Sequence, residues 1–165
     1  MALVAEIIAT WRAPRQALRA RVAQGVREDI ALMVLLAALG FSFLAQWPGL
    51  ARSAHLQPEM PLAARLIGSF LAGLGVVPLA YLLAAASHLV ARALGGQGSW
   101  YGARLALFWS LLAVSPLMLL HGLLTGLLGS GPMLNSAGLV VAMGFLYLWL
   151  PALAASERAC ANPEL

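Results

Sequence analysis

Four stretches without a single Asp, Glu, Lys or Arg constrain this chain more than any other feature. They are Ile30–Trp47, Leu66–Val90, Leu105–Leu128 and Ala137–Ala155. Each approaches or exceeds the roughly 20 residues needed to cross a hydrocarbon layer of about 30 Å. Within that layer no water satisfies the backbone, so only hydrogen-bonded helices or closed barrels can cross it, and runs this long predict helices. The expected fold is all-α: an integral membrane bundle of four transmembrane helices with an N-terminal amphipathic interfacial helix. Residues 1–29 form the arm, 30–155 the membrane domain and 156–165 a short cytoplasmic tail.

Composition leaves no room for a separate soluble domain. Hydrophobic residues make up 62% of the 165 and charged residues 10%, the latter all outside the spans. The net charge of +4 comes from arginine, because lysine is absent. Placed beside membrane helices, this charge predicts contact with anionic headgroups of the bilayer and not with nucleic acid. An Ala- and Arg-rich, Lys-free chain also fits a GC-rich bacterial genome. Cys160 is the only cysteine and is expected to be a free cytoplasmic thiol. No signal peptide is evident, since Ala2–Trp11 contains Glu6 and runs into arginines.

Retained positive charge orients membrane helices. With four spans, Arg12, Arg15, Arg19, Arg21, Arg27, Arg92, Arg104 and Arg158 fall on one side, and only Arg52 and Arg65 on the other. Both termini are therefore expected to be cytoplasmic, in a bacterial inner membrane. Trp47, Trp100, Tyr101, Tyr147 and Trp149 lie near span ends, where an aromatic ring can stay apolar while its N–H or O–H stays wet.

The arm reads as two helical pieces divided at Pro14, which suits a first helical position but not a helix interior. Leu3, Ile7 and Trp11 form an apolar stripe that Leu18, Val22 and Val26 continue. Trp11, Arg12, Arg15, Arg19 and Arg27 are the expected membrane-surface contacts, apolar side down and guanidinium groups toward phosphates. Such an arm can orient span one and pack under the bundle, or offer a docking site to a partner.

Inside the spans, Pro78 and Pro116 each remove a backbone hydrogen bond near mid-helix and are the expected helix kinks. Val77-Pro78-Leu79 and Ser115-Pro116-Leu117 loosely echo each other, and transporters also break helices at the midplane. Gly122 and Gly126, four apart in span three, are expected to pack against Gly68 and Ala72 of span two, or to form a dimer seam. His88 and His121 are the ionisable side chains within the spans. Roughly 20 Å of depth separates them at 1.5 Å per residue, too far to share one haem. His88 is expected at the cytoplasmic interface. His121 is the possible ligand or partner contact, or it bonds a carbonyl freed by Pro116 or a neighbouring helix.

The spans carry no carboxylate, and there is no metal-spaced cluster or phosphate loop followed by lysine. Gly95–Ser99 reads as a flexible connection. No catalytic residue, cofactor or metal is expected.

From Gly95 through Leu120 the chain resembles the Ypt-interacting-protein (Yip) domain family in its bacterial form. The residues that carry the resemblance are Gly98-Ser99-Trp100-Tyr101 after a glycine-bearing loop, Ser115-Pro116 within the next helix, and Pro14-Arg15 ahead of the first span. Eukaryotic members are multi-span trafficking proteins that engage small GTPases and shape membranes. This chain lacks their long polar N-terminal region, their Asp-Leu-Tyr-Gly-Pro motif and their fifth span, so a GTPase-linked role is not carried over. The resemblance implies a non-enzymatic inner-membrane protein. It would work through protein or lipid contacts, as an accessory or scaffolding subunit, with other membrane subunits or further copies of itself as partners. The alternative is a small-solute transporter or channel built on the proline-bearing spans two and three. A continuous polar lining would favour transport; serines bonded to their own helices would favour the accessory role.

Overall fold

The computed structural model describes residues 2–158, excluding the side chains of Ala2 and Leu3. Cys160, with the rest of residues 159–165, lies outside the described residues, while 156–158 of the expected tail are the end of the last helix. Six helices are present among the described residues: α1 (Ala2–Arg12), α2 (Pro14–Val22), α3 (Glu28–Leu56), α4 (Leu62–Ala93), α5 (Trp100–Leu128) and α6 (Pro132–Arg158). The last four are long and apolar enough to cross a membrane. Short loops join them, so α3 to α6 alternate in direction. The loops 23–27 and 94–99 lie at the arm end of the bundle, and 57–61 and 129–131 at the far end.

Each long helix outruns its uncharged stretch, α5 at its start and the other three at both ends, because backbone hydrogen bonding is indifferent to where the charged residues begin. The first apolar stretch stops at Trp47, yet α3 continues through Pro48 to Leu56. Proline cannot donate there. Packing supports that turn instead: a methyl group at Gly126 of α5 would lie 2.6 Å from Pro48 Cβ. Pro78, Pro116 and Pro151 likewise sit inside unbroken helices. Pro78 and Pro116 are exposed on the outside of the bundle.

The central helix is α5. From Tyr101 to Ser115 almost every residue is buried, with α3, α6 and the arm around it and α4 along its first half. The contacts are made largely by alanine: Ala31, Ala38 and Ala45 on α3, Ala80 and Ala84 on α4, Ala152 and Ala155 on α6. Small side chains bring backbones close, which matters most where lipid is as apolar as the partner helix. Phe108 fills the space they leave, edge-on to Tyr81 of α4 at 5.0 Å between ring centres.

The pairing of spans differs from the sequence expectation. Gly122 and Gly126 face α3, where a methyl group on Gly122 would run into the carbonyl of Ala45. Gly68 has nothing within 4 Å and Ala72 is exposed, so neither packs against α5. Toward the far end α4 stays with α3 through Ser69–Gln46, Arg65–Ser53 and the ring pair Phe43–Phe70. That leaves the glycine face of α5 free for α3. Arg52 of α3 then donates to the carbonyls of Gly126 and Leu127 at 3.1 and 3.0 Å, satisfying groups that a helix end leaves open. Gly129, at φ 73°, turns the chain there with the Arg52 side chain against it.

Candidate functional site

Two groups of polar residues at the arm end, and one cleft toward the far end, carry the chemistry of the bundle. The first is the seat of the arm. Pro14 opens α2, and the hairpin of α1 and α2 folds back onto α5 and α6. Trp11, expected at the membrane surface, instead donates its indole N–H to the Ala113 carbonyl at 2.9 Å. Its ring stacks with Tyr147 and rests against Gly144, where a side chain would collide with it. Thr10 is only 2% exposed; it donates to the Glu6 carbonyl and accepts the indole N–H of Trp109. Leu18 is buried in the main core.

The apolar stripe of the arm is therefore largely spent on the bundle. Specific bonding fixes it there: the indole N–H of Trp11 donates to the Ala113 carbonyl of α5, and that of Trp109 to Thr10 of the arm. Arg12, Arg15, Arg19 and Arg27 are exposed, away from this contact. Val4 and Ile8 are also exposed, so α1 presents apolar side chains on more than one side.

Arg21, which is not among the expected surface contacts, is the most constrained arginine of the arm. Its guanidinium lies 3.3 Å above the Trp109 ring centre and donates to Glu6 Oε2 at 2.7 Å and to the Ala17 carbonyl at 2.9 Å. Burial pushes it below the ordinary arginine value, opposed by the charge and hydrogen bond of Glu6.

The second group is a clasp at the same end. His88, expected at an interface, is buried on α4, with Nδ1 2.7 Å from Glu157 Oε1 of α6. Glu157 is 5% exposed. Its Oε2 accepts the Gly98 N–H at 2.9 Å, and its carbonyl accepts the Gln97 N–H at 3.1 Å. Residues 95–99, expected as a flexible connection, are thus tied to α6, and Ser99 caps α5 by accepting the Gly102 N–H. Trp100 closes over the imidazole at 4.5 Å between ring centres. One side chain joins the end of α4, the start of α5 and the end of α6. The sequence carried a signal for this: Glu157 follows the last apolar stretch at the same depth as His88.

The third feature is a cleft of about 510 Å³ between α3, α5 and α6, lined by Ser42, Gln46, His121, Thr125 and apolar neighbours. His121 does not bond a carbonyl freed by Pro116; among the described residues its ring has no hydrogen-bond partner, and its Nε2 lies against Gly138 of α6. The cleft is mostly apolar, and no group of three or more metal-ligating side chains occurs among the described residues.

No family model, curated protein or solved structure matches the chain. The Yip resemblance therefore rests on its short motifs alone.

Proposed function

We propose that the chain is a non-enzymatic multi-pass protein of a bacterial inner membrane, both termini cytoplasmic, which works through protein or lipid contacts as an accessory subunit. The observation that carries this reading is where the hydroxyl groups go. Ser87, Ser110, Thr125, Ser136 and Ser156 each donate to a carbonyl of their own helix. They fill local acceptors and line no path across the bundle. Ser69 and Ser42 do reach a second helix, at Gln46 and Met118. The alternative of solute transport through spans two and three has less support, since Pro78 and Pro116 both face outward.

The outer side of α4 is where a partner helix fits. Phe70, Leu71, Leu74, Leu79 and Leu82 are exposed along it, and Gly68, Gly73 and Gly75 have nothing within 4 Å. Glycine weakens a helix, and small residues four apart, as Gly68 and Ala72 are, suit close helix approach. The test is photocrosslinking in native membranes with benzoylphenylalanine in place of Ala72. Covalent capture of a second polypeptide, absent when the probe replaces buried Leu35, is expected. Capture of lipid alone would contradict the accessory role.

A further inference from the structure

A cavity of about 390 Å³ lies at the arm end, between the arm hairpin and the first turns of α3 and α5. Its polar lining is dominated by donors: Arg21, Arg27, Gln24 and Tyr101, with Glu6 as the acidic group. Arg21 is fixed from three sides by Trp109, Glu6 and Ala17, yet these use only two of the five N–H donors of a guanidinium. Tyr101 is 5% exposed, and its hydroxyl has no hydrogen-bond partner among the described residues. The hydroxyl is not among the fully buried unpartnered polar atoms of the described residues, so it stays open to the cavity it lines and can donate into it. Arg27 meets only Asp29, at 3.2 Å with both side chains more than half exposed, a pair that holds it weakly. The rest of the lining is apolar and includes Val34 and Leu105.

A ligand for such a space has a compact anion at one end and hydrocarbon at the other. We propose that the cavity binds the phosphate headgroup of an anionic phospholipid, with the arm closing over it. The assignment rests on the reading of the chain as a membrane protein: α3 and α5 begin here, where spans meet the headgroup layer. Basic pockets between helices at that level recognise anionic headgroups. A guanidinium fork matches phosphate oxygens in pairs, and the Tyr101 hydroxyl adds a neutral donor. A zwitterionic headgroup would bring its own cation beside Arg21 and Arg27. A free phosphate would leave the apolar lining uncovered.

The experiment uses the full chain in a neutral detergent, titrated with short-chain phosphatidylglycerol, the matching phosphatidylcholine or inorganic phosphate. Tryptophan fluorescence, to which Trp109 beneath Arg21 contributes with the four other tryptophans, reports binding, and thermal melting reports on the fold. Phosphatidylglycerol is expected to saturate the signal and bind at least about tenfold tighter than phosphatidylcholine, about 1.4 kcal/mol. Arg27→Gln and Tyr101→Phe should each weaken it several-fold while the lipid-free melting temperature stays put. Equal binding of both lipids, or unchanged binding by both variants, would overturn the site. Inorganic phosphate displacing phosphatidylglycerol at equal concentration would overturn the lipid assignment. Dependence on detergent is read separately. A chain that needs detergent yet ignores phosphatidylglycerol loses this site and keeps the membrane reading. A chain monomeric in plain buffer loses both.

Discussion

Replacing Gly122 with alanine is expected to unseat α3 from α5 and to be among the most damaging single methyl additions in the chain. The new Cβ would overlap the Ala45 carbonyl, and the obstacle is backbone, which no rotamer change can clear. Overpacking of a close-packed interface costs about 1–3 kcal/mol and more where backbone must move, so about 3 kcal/mol is expected here. At this chain length that lowers the melting temperature by about 6–12 °C. Gly126→Ala meets Pro48 Cβ at 2.6 Å, along with backbone of the same residue, and should fall between Gly122→Ala and wild type. Gly68→Ala is the control. Nothing lies within 4 Å of that position, so stability should stay level or rise by up to about 1 kcal/mol from helix propensity. Equal melting temperatures for the Gly122 and Gly68 variants would show that the α3–α5 seam is not where the account puts it.

Glu157→Ala is expected to be comparably severe for a different reason. It removes the acceptor of His88 Nδ1 and of the Gly98 N–H together and leaves a buried imidazole and a half-buried amide without that partner. Leaving a buried donor without its acceptor costs about 1–3 kcal/mol, and here two donors lose theirs at once. Glu157→Gln keeps the shape and one carbonyl oxygen and should recover much of that loss. His88→Ala alone should cost less than Glu157→Ala, because Glu157 retains Gly98. The double variant should cost less than the sum of the singles, since the two share one interaction. Strict additivity of the two melting shifts would rule out the clasp.

The four spans were legible because the free energy of placing charge in hydrocarbon is large and local, so each uncharged stretch declares itself residue by residue. Depth was legible for the same reason: His88 and His121 lie far apart along the bundle, as counting along the helices requires. Which way a residue faces was not. Gly122 carries the same close-packing signal whether its neighbour is α3 or α4. The choice depends on Ala45 and Pro48 presenting backbone at the right depth, while α4 leans on α3 through Ser69 and Gln46. The seat of the arm is open in the sequence on similar grounds, which allow it to pack under the bundle or to offer a docking site. An apolar stripe suits a lipid surface and a helix groove equally well, and what decided between them was the indole N–H groups of Trp11 and Trp109 finding Ala113 and Thr10. Glu157 lay just past an apolar stretch and was set aside with the tail. Its burial follows from α6 continuing to Arg158, which carries the carboxylate back under His88 and Gly98.

The measurement that bears most directly on the four crossings is labelling with a membrane-impermeant thiol reagent in intact bacterial cells. Single cysteines would be placed at Glu59, Gln97 or Ser130, all exposed loop positions, in a chain carrying Cys160→Ser. Cysteines at positions 59 and 130 are expected to label at once, while one at position 97, like the native Cys160, labels only after the membrane is opened. Immediate labelling at position 97, or protection at position 130, would contradict the arrangement of α3 to α6 across the bilayer.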